Sequence, residues 1–492
     1  MFETAEVGNE VSKEEFEAWL PRLRVDLVNL QYDLREADFP VLVVLVGDDL
    51  PGVSEAVNRL NEWMDARYVA THVFGVPTED ELQRPRFWRY WRALPGRGEL
   101  AIYTGVWVLG ALTERLEGAT DDAGLELRLT HMERFERSLR DAGGLVLKFW
   151  LHLPKDEFRK RVKKARKKGG NGGRLDDRDL RIFEAYDQVL PLAERVMRRT
   201  EVEGASWQIV ESTDARHRDL TLASAILERC RARLEAPPAP TPPPKVGTGA
   251  RAGVGVLDRV DLGATLPRPR YRKERDALQA RLRGLSRRAR DEGLSSVLVF
   301  EGWDAAGKGG VIRRLSQAMD VQDYRIVPIA APSEEELRHH HLWRFWRQLP
   351  RRGRMLIFDR SWYGRVLVER VEGLAPEPDW QRAYAEINDF EEQLVEGGLV
   401  VAKFWLHIDP DEQIRRFQAR EDTPYKKYKI TAEDYRNRGR WEAYARAVED
   451  MVARTSTGDA PWHLVPAVDK RFARVEVLRT VCEALEARLG EG

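Results

Sequence analysis

"FEGWDAAGKGGVIRRL", residues 300–315, continues the apolar run "SVLVF" and leads into a stretch with helical spacing. Gly302, four residues, then Gly307 and Lys308 make the G-x-x-x-x-G-K half of a phosphate loop in its strand–turn–helix setting. Amides of such a turn converge on phosphate oxygens, the helix N-terminus adds partial positive charge, and Lys308 supplies a full one. Gly302, Gly307, Lys308, Gly309 and Gly310 are therefore candidate phosphate-binding residues. The plainer alternative is a tight turn with a surface lysine. Gly309 stands where most such loops put a Ser or Thr hydroxyl on a metal ion. The cation must then be held mainly by carboxylates and phosphate oxygens, and the candidate carboxylates are Asp304 inside the loop and Asp359 at the end of the run "RMLIFD". Turn or helix capping is the competing role for each.

The chain is written twice. "FWRYWRALPGRGELAIYTGVWVLGALTERLEG" (87–118) aligns with "LWRFWRQLPRRGRMLIFDRSWYGRVLVERVEG" (342–373), and matched residues such as Trp88 and Trp343 lie 255 positions apart. The same shift lays "KFWLH" at 148–152 on 403–407, and Gly47, Asp49 and Gly52 on Gly302, Asp304 and Gly307. Between the copies, "APPAPTPPPKVGTGARAGVG" (236–255) is stiffened by proline and loosened by glycine, and it builds no core. The expected organisation is a first domain at 1–233, a linker at 234–262 and a second domain at 263–492. Short continuous apolar runs alternate with amphipathic helical stretches, which predicts an α/β fold. Each copy is a doubly wound parallel sheet with helices on both faces and its site at the carboxyl ends of the strands.

Comparing the copies separates framework from chemistry. Lys308 corresponds to Val53, Gly309 to Ser54, Asp359 to Thr104, Arg360 to Gly105, Tyr363 to Val108 and Arg365 to Gly110. The tryptophans and turn glycines persist. The first copy thus reads as a cradle kept for structure after its charge was lost, and Asp49 opposite Asp304 suggests a turn-forming role for both. Lys403 is matched by Lys148, so it is at least partly structural; Arg344 and Arg347, matched by Arg89 and Arg92, fall under the same caution. "HHH" at 339–341 is expected on a solvated helical face, because adjacent helical residues cannot converge on one ion. The basic segment 414–435, with Arg416, Arg420, Lys426 and Lys429, is either solvated surface or a lid over a polyanion; Arg420 corresponds to Ala165 and Lys426 to Asn171.

Composition excludes little. The 492 residues carry 81 basic and 81 acidic side chains, so an anion site must come from local clustering. Two cysteines give no disulfide framework, the acidic N-terminus is no secretory signal, and no apolar run is long enough for a membrane span. A cytoplasmic protein without a nucleic-acid or membrane partner is expected.

"EGWDAAGKGG", "FDRSWYGRVLVERV", "KFWLHI" and "AREDTPYKKYK" together resemble the polyphosphate kinase type 2 family, over essentially the whole second half. The first half resembles the same domain in degraded form. The resemblance implies a P-loop kinase sheet, Mg²⁺, and inorganic polyphosphate as donor; the two-domain layout is similar to the subgroup that converts AMP to ADP. It assigns Asp304, Gly307 and Lys308 to the phosphate loop, Asp359 and Arg360 to a second motif, and Arg416 and Arg420 to a lid. It carries no catalytic role to the first half, which departs at Val53, Thr104 and Gly105. A homodimer suits the family. Polyphosphate-dependent ADP or GDP kinases, an ATP-dependent nucleoside monophosphate kinase and a non-enzymatic polyphosphate sensor are the rivals.

Overall fold

The computed structural model describes residues 1–167, 181, 184–236, 255–423 and 432–490. Two compact units emerge. One comprises Met1–Pro77, Ala93–Pro240 and Glu334–His340; the other comprises Thr78–Arg92, Thr241–Ser333 and His341–Gly492. Residues 78–92 thus group with the second copy and 334–340 with the first.

Each unit holds one five-stranded sheet whose pairings are all parallel. In the first unit β1 (Val41–Gly47), β2 (Val69–Val73), β3 (Leu100–Thr104), β4 (Leu145–His152) and β5 (Trp207–Glu211) lie in the order β2-β3-β1-β4-β5. In the second, β6 (Ser296–Gly302), β7 (Tyr324–Pro328), β8 (Met355–Asp359), β9 (Val400–His407) and β10 (Trp462–Pro466) repeat it as β7-β8-β6-β9-β10. The expected duplicated α/β architecture is therefore present. β1 is VLVVLVG with every residue buried, as a strand covered on both faces requires. Val41, Val43 and Leu45 face a core completed by the helices Lys13–Leu34, Leu50–Trp63 and Ala215–Glu235.

The other face carries a buried ion pair in each unit. Lys148 Nζ, on β4, donates to Glu136 of the helix Asp122–Asp141 at 2.7 Å and to the Thr200 carbonyl at 2.6 Å. Lys403, on β9, repeats this with Glu391 at 2.6 Å and the Thr455 carbonyl at 2.6 Å, and adds the Tyr363 hydroxyl at 2.9 Å. Both lysines are fully buried. These tie strand to helix; they are structural. Cys230 and Cys482 are both buried in helices. Among the described residues no helix is long and apolar enough to cross a membrane.

Candidate active site

The first strand of each sheet lies at its centre, between the third and fourth strands, so the loop after it opens into the crevice typical of such sheets. In the second unit that loop runs from Gly302 to the helix Lys308–Ser316. It needs left-handed backbone three times, at Gly302 (φ 145°), Ala305 (φ 62°) and Gly307 (φ 114°). A Cβ on Gly302 would meet the Leu406 carbonyl oxygen at 2.6 Å, which explains that glycine. Ala305 holds the same region without glycine's freedom, a mark of local strain. Lys308 is the first helical residue, and its Nζ donates back to the Gly302 carbonyl at 2.6 Å.

Asp359 ends β8, the strand beside β6, in register with Phe300. Arg360 follows with φ 64° and donates to Asp304 Oδ1 at 3.3 Å, while Asn437 Nδ2 donates to Oδ2 at 3.1 Å. Glu301, the residue before Gly302, is buried and accepts from Ser361 Oγ at 2.7 Å. Burial pushes its carboxyl up from the ordinary range, and the positive charge of Lys308 opposes that shift. Glu301 escaped the sequence reading because it ends an apolar strand. Asp304 in the loop and Asp359 at the adjacent strand end offer carboxylate oxygens, the ligand type a hard divalent cation takes.

Two clefts flank the loop. One is aromatic: Trp303, Trp405, Trp441 and Tyr444 line it together with Asp304, Gly302, Lys308 and Arg360. Trp303 and Trp441 stack with centroids 3.6 Å apart and planes 10° from parallel. The other is basic: Arg415, Arg420, Lys470 and Arg474 face Gly307 and Gly310. Asp359 and Gly309 line neither cleft. Arg416 borders the basic cleft, yet it is 3% exposed and works as a splint. Its guanidinium donates to the Ala305 and Ala306 carbonyls (2.9 and 2.7 Å) and to those of Ala467 and Val468 (2.6 and 2.9 Å), and it pairs with Glu412. Arg420 is half-buried near the end of the helix Pro410–Glu421. Lys426 and Lys429 lie outside the described residues. Trp441, Tyr444, Lys470 and Arg474 come from helices far along the chain, where no local signal marked them.

The first unit corrects one expectation. No cradle survives at its matching loop, because the helix begins at Leu50, three residues before Val53. Pro51 sits in the first turn and Asp49 caps it, accepting from the Gly52 amide at 3.1 Å, so the amides that would meet phosphate are helical. Arg161, the counterpart of Arg416, clasps both Asp49 oxygens at 2.9 Å, and Ser212 Oγ donates to the same carboxylate. Asp304, by contrast, serves Arg360 and Asn437, so the two aspartates do not share a role. Where the second unit has Gly310, Lys470 and Arg474, the first has Glu55, Ala215 and Asp219. The triple histidine is also not on a helical face. It follows the end of the helix Glu334–Leu337 in a turn, and His341 pairs with Glu386 at 2.7 Å.

A glycine-bent loop after a central parallel strand, a lysine opening the next helix and a carboxylate on the adjacent strand are the arrangement of a P-loop kinase-like fold. The profile of the Polyphosphate kinase 2 family matches residues 10–236 and again 265–491. The chain belongs to that family. It is 49% identical over 492 residues to the polyphosphate:AMP phosphotransferase of Pseudomonas aeruginosa, covering 99% of both chains. It is 37% identical over 482 residues to the enzyme of the same name from Acinetobacter johnsonii, covering 95% of this chain and 96% of that one. A crystal structure of a candidate polyphosphate kinase 2 from Pseudomonas aeruginosa PA01 superposes with a TM-score of 0.91 at 47% identity, over 100% of both chains.

Proposed function

We propose that this chain transfers the terminal phosphoryl group of inorganic polyphosphate to AMP, giving ADP, and that residues 263–492 do the chemistry while 1–233 are non-catalytic. The observation that carries the reading is the pair of unlike clefts meeting at one phosphate loop. The basic cleft suits a polyanion held by backbone amides, Arg420, Lys470 and Arg474; the aromatic cleft suits a nucleobase, with its phosphate directed at Lys308 and Arg360. The full-length likeness to polyphosphate:AMP phosphotransferases supports AMP as acceptor.

The attacking atom is an oxygen of the AMP phosphate, already ionised near neutral pH, so no general base is required. The reaction then depends on in-line alignment and on charges placed where the moving phosphoryl passes. Lys308 and Arg360 turn toward those oxygens, Arg416 holds the loop carbonyls so that its amides point at the donor, and Asp304 orients Arg360. Asp304 and Asp359 would hold Mg²⁺, which when bound would supply charge neutralisation for the transferring phosphoryl group.

The test is to incubate the pure protein with AMP, long-chain polyphosphate and Mg²⁺ without ATP. ADP production with matching loss of polyphosphate is expected. ADP formed only when ATP is supplied would overturn the donor assignment, and binding without turnover would make the protein a sensor.

A further inference from the structure

Two buried glutamates in the second unit behave differently in the internal comparison. Glu391 pairs with Lys403, and its counterpart Glu136 pairs with Lys148, so that carboxylate belongs to the fold. Glu301 has no such counterpart. It is 6% exposed at the end of β6, and Ser361, 2% exposed, donates to it. The matching positions are Val46 and Val106, both fully buried. The same strand end and the same turn therefore form with two valines. A buried carboxylate held by a serine hydroxyl, its burial only opposed by the charge of Lys308, costs stability relative to such an apolar pair. Its presence in the second unit alone calls for a reason outside folding.

The geometry points to Glu301 and Ser361 as a latch that positions the Asp359–Arg360 turn on the phosphate loop. Glu301 is one residue from Gly302, and Ser361 is one residue from Arg360. Ser361 Oγ, donating to Glu301, also accepts from the Tyr363 amide at 3.3 Å, which fixes the turn on its far side. On the near side the Arg360 amide donates to the Phe300 carbonyl at 3.0 Å. Held between these bonds, Arg360 keeps its left-handed backbone and its guanidinium on Asp304. The first copy lost all four groups together: Glu301, Asp359, Arg360 and Ser361 correspond to Val46, Thr104, Gly105 and Val106. A latch with nothing left to position was replaced by packing. Glu301 and Ser361 are positioning residues, acting through Arg360 and Asp359 rather than on substrate.

This inference rests on the proposed phosphoryl transfer, and its test separates the two. The full-length protein is compared with E301V/S361V, which installs the first copy's own pair, and with S361A, which cuts the link. E301V/S361V is expected to unfold at or above the wild-type temperature, while kcat falls roughly tenfold to 10²-fold, the scale of a small misplacement, with KM for AMP little changed. S361A is expected to lower kcat similarly and to speed hydrogen exchange at the amides of residues 359–363. A double variant with wild-type kcat, or one whose loss lies wholly in KM, overturns the latch. If the wild type makes no ADP from polyphosphate, the proposed reaction fails on its own, and unchanged exchange in S361A would still overturn the latch.

Discussion

His152 and His407 occupy matching places at the ends of β4 and β9, yet their titrations are driven in opposite directions. Burial pushes His407 down to about 4, and its Nδ1 accepts from the indoles of Trp303 (3.1 Å) and Trp405 (3.3 Å), so it is neutral at pH 7. Burial would lower His152 too, but a 2.7 Å hydrogen bond to Asp48 and that residue's charge, with help from Glu6, raise it instead. The largest part of the difference is one substitution, Asp48 in the first copy against Trp303 in the second. The lesson extends to the whole duplication. The sheet order and the lysine–glutamate pair are shared because the fold needs them, while the surroundings of the first loop were rebuilt around internal partners. Asp49, clasped by Arg161, now satisfies within the chain what the second unit leaves open for phosphate.

The comparison can be broken most sharply at the shared ion pair. Lys148→Met and Lys403→Met should each lower unfolding stability by about 3–5 kcal/mol in denaturant titration, since each strands a buried glutamate. A Lys403 variant of normal stability but no activity would show that the pair had been misread as structural. Next come the paired arginines. Arg416→Ala is expected to cut kcat by roughly 10²-fold through a loosened loop. Arg161→Ala should leave the rate alone and lower stability of the first unit by about 1–3 kcal/mol.

How far these roles were legible in advance depends on how local their signals are. The duplication, the parallel sheets and the placing of Asp304, Lys308 and Arg360 around one loop follow from runs such as "SVLVFEG" and from spacing fixed by the phosphate-loop backbone. The early helix start at Leu50 was also written in the chain, as an aspartate cap before a proline, but the matching glycines drew attention to the wrong element. Arg416 was placed in a lid because a basic run shows charge without showing burial. Trp441, Lys470 and Arg474 reach the site only through tertiary packing, and Glu301 looked like the end of an apolar strand.

Smaller effects sharpen the contrast through pH. Burial and the neighbouring Arg416 push Lys470 down to about 8. The free protein therefore loses this charge as pH rises through 8, and a polyanion must draw the proton back in order to bind. Apparent affinity for polyphosphate should weaken by up to about tenfold between pH 7 and 9, and Lys470→Arg should remove that dependence. Mutating the counterpart, Ala215, should do nothing to it. Smallest of all, Asp48→Asn should move the His152 titration midpoint downward, followed by its ring-proton resonance, without altering ADP formation.

The central claim is that one copy works and the other only supports the fold. It is tested most directly by ADP formation from AMP, polyphosphate and Mg²⁺ in Lys308→Ala and Val53→Lys, each beside wild type. Loss of roughly 10²–10³-fold in Lys308→Ala is predicted, with no gain in Val53→Lys, because a lysine there would sit on a capped helix with no open loop to serve. Retained turnover in Lys308→Ala, or a second active site appearing with Val53→Lys, would contradict the account.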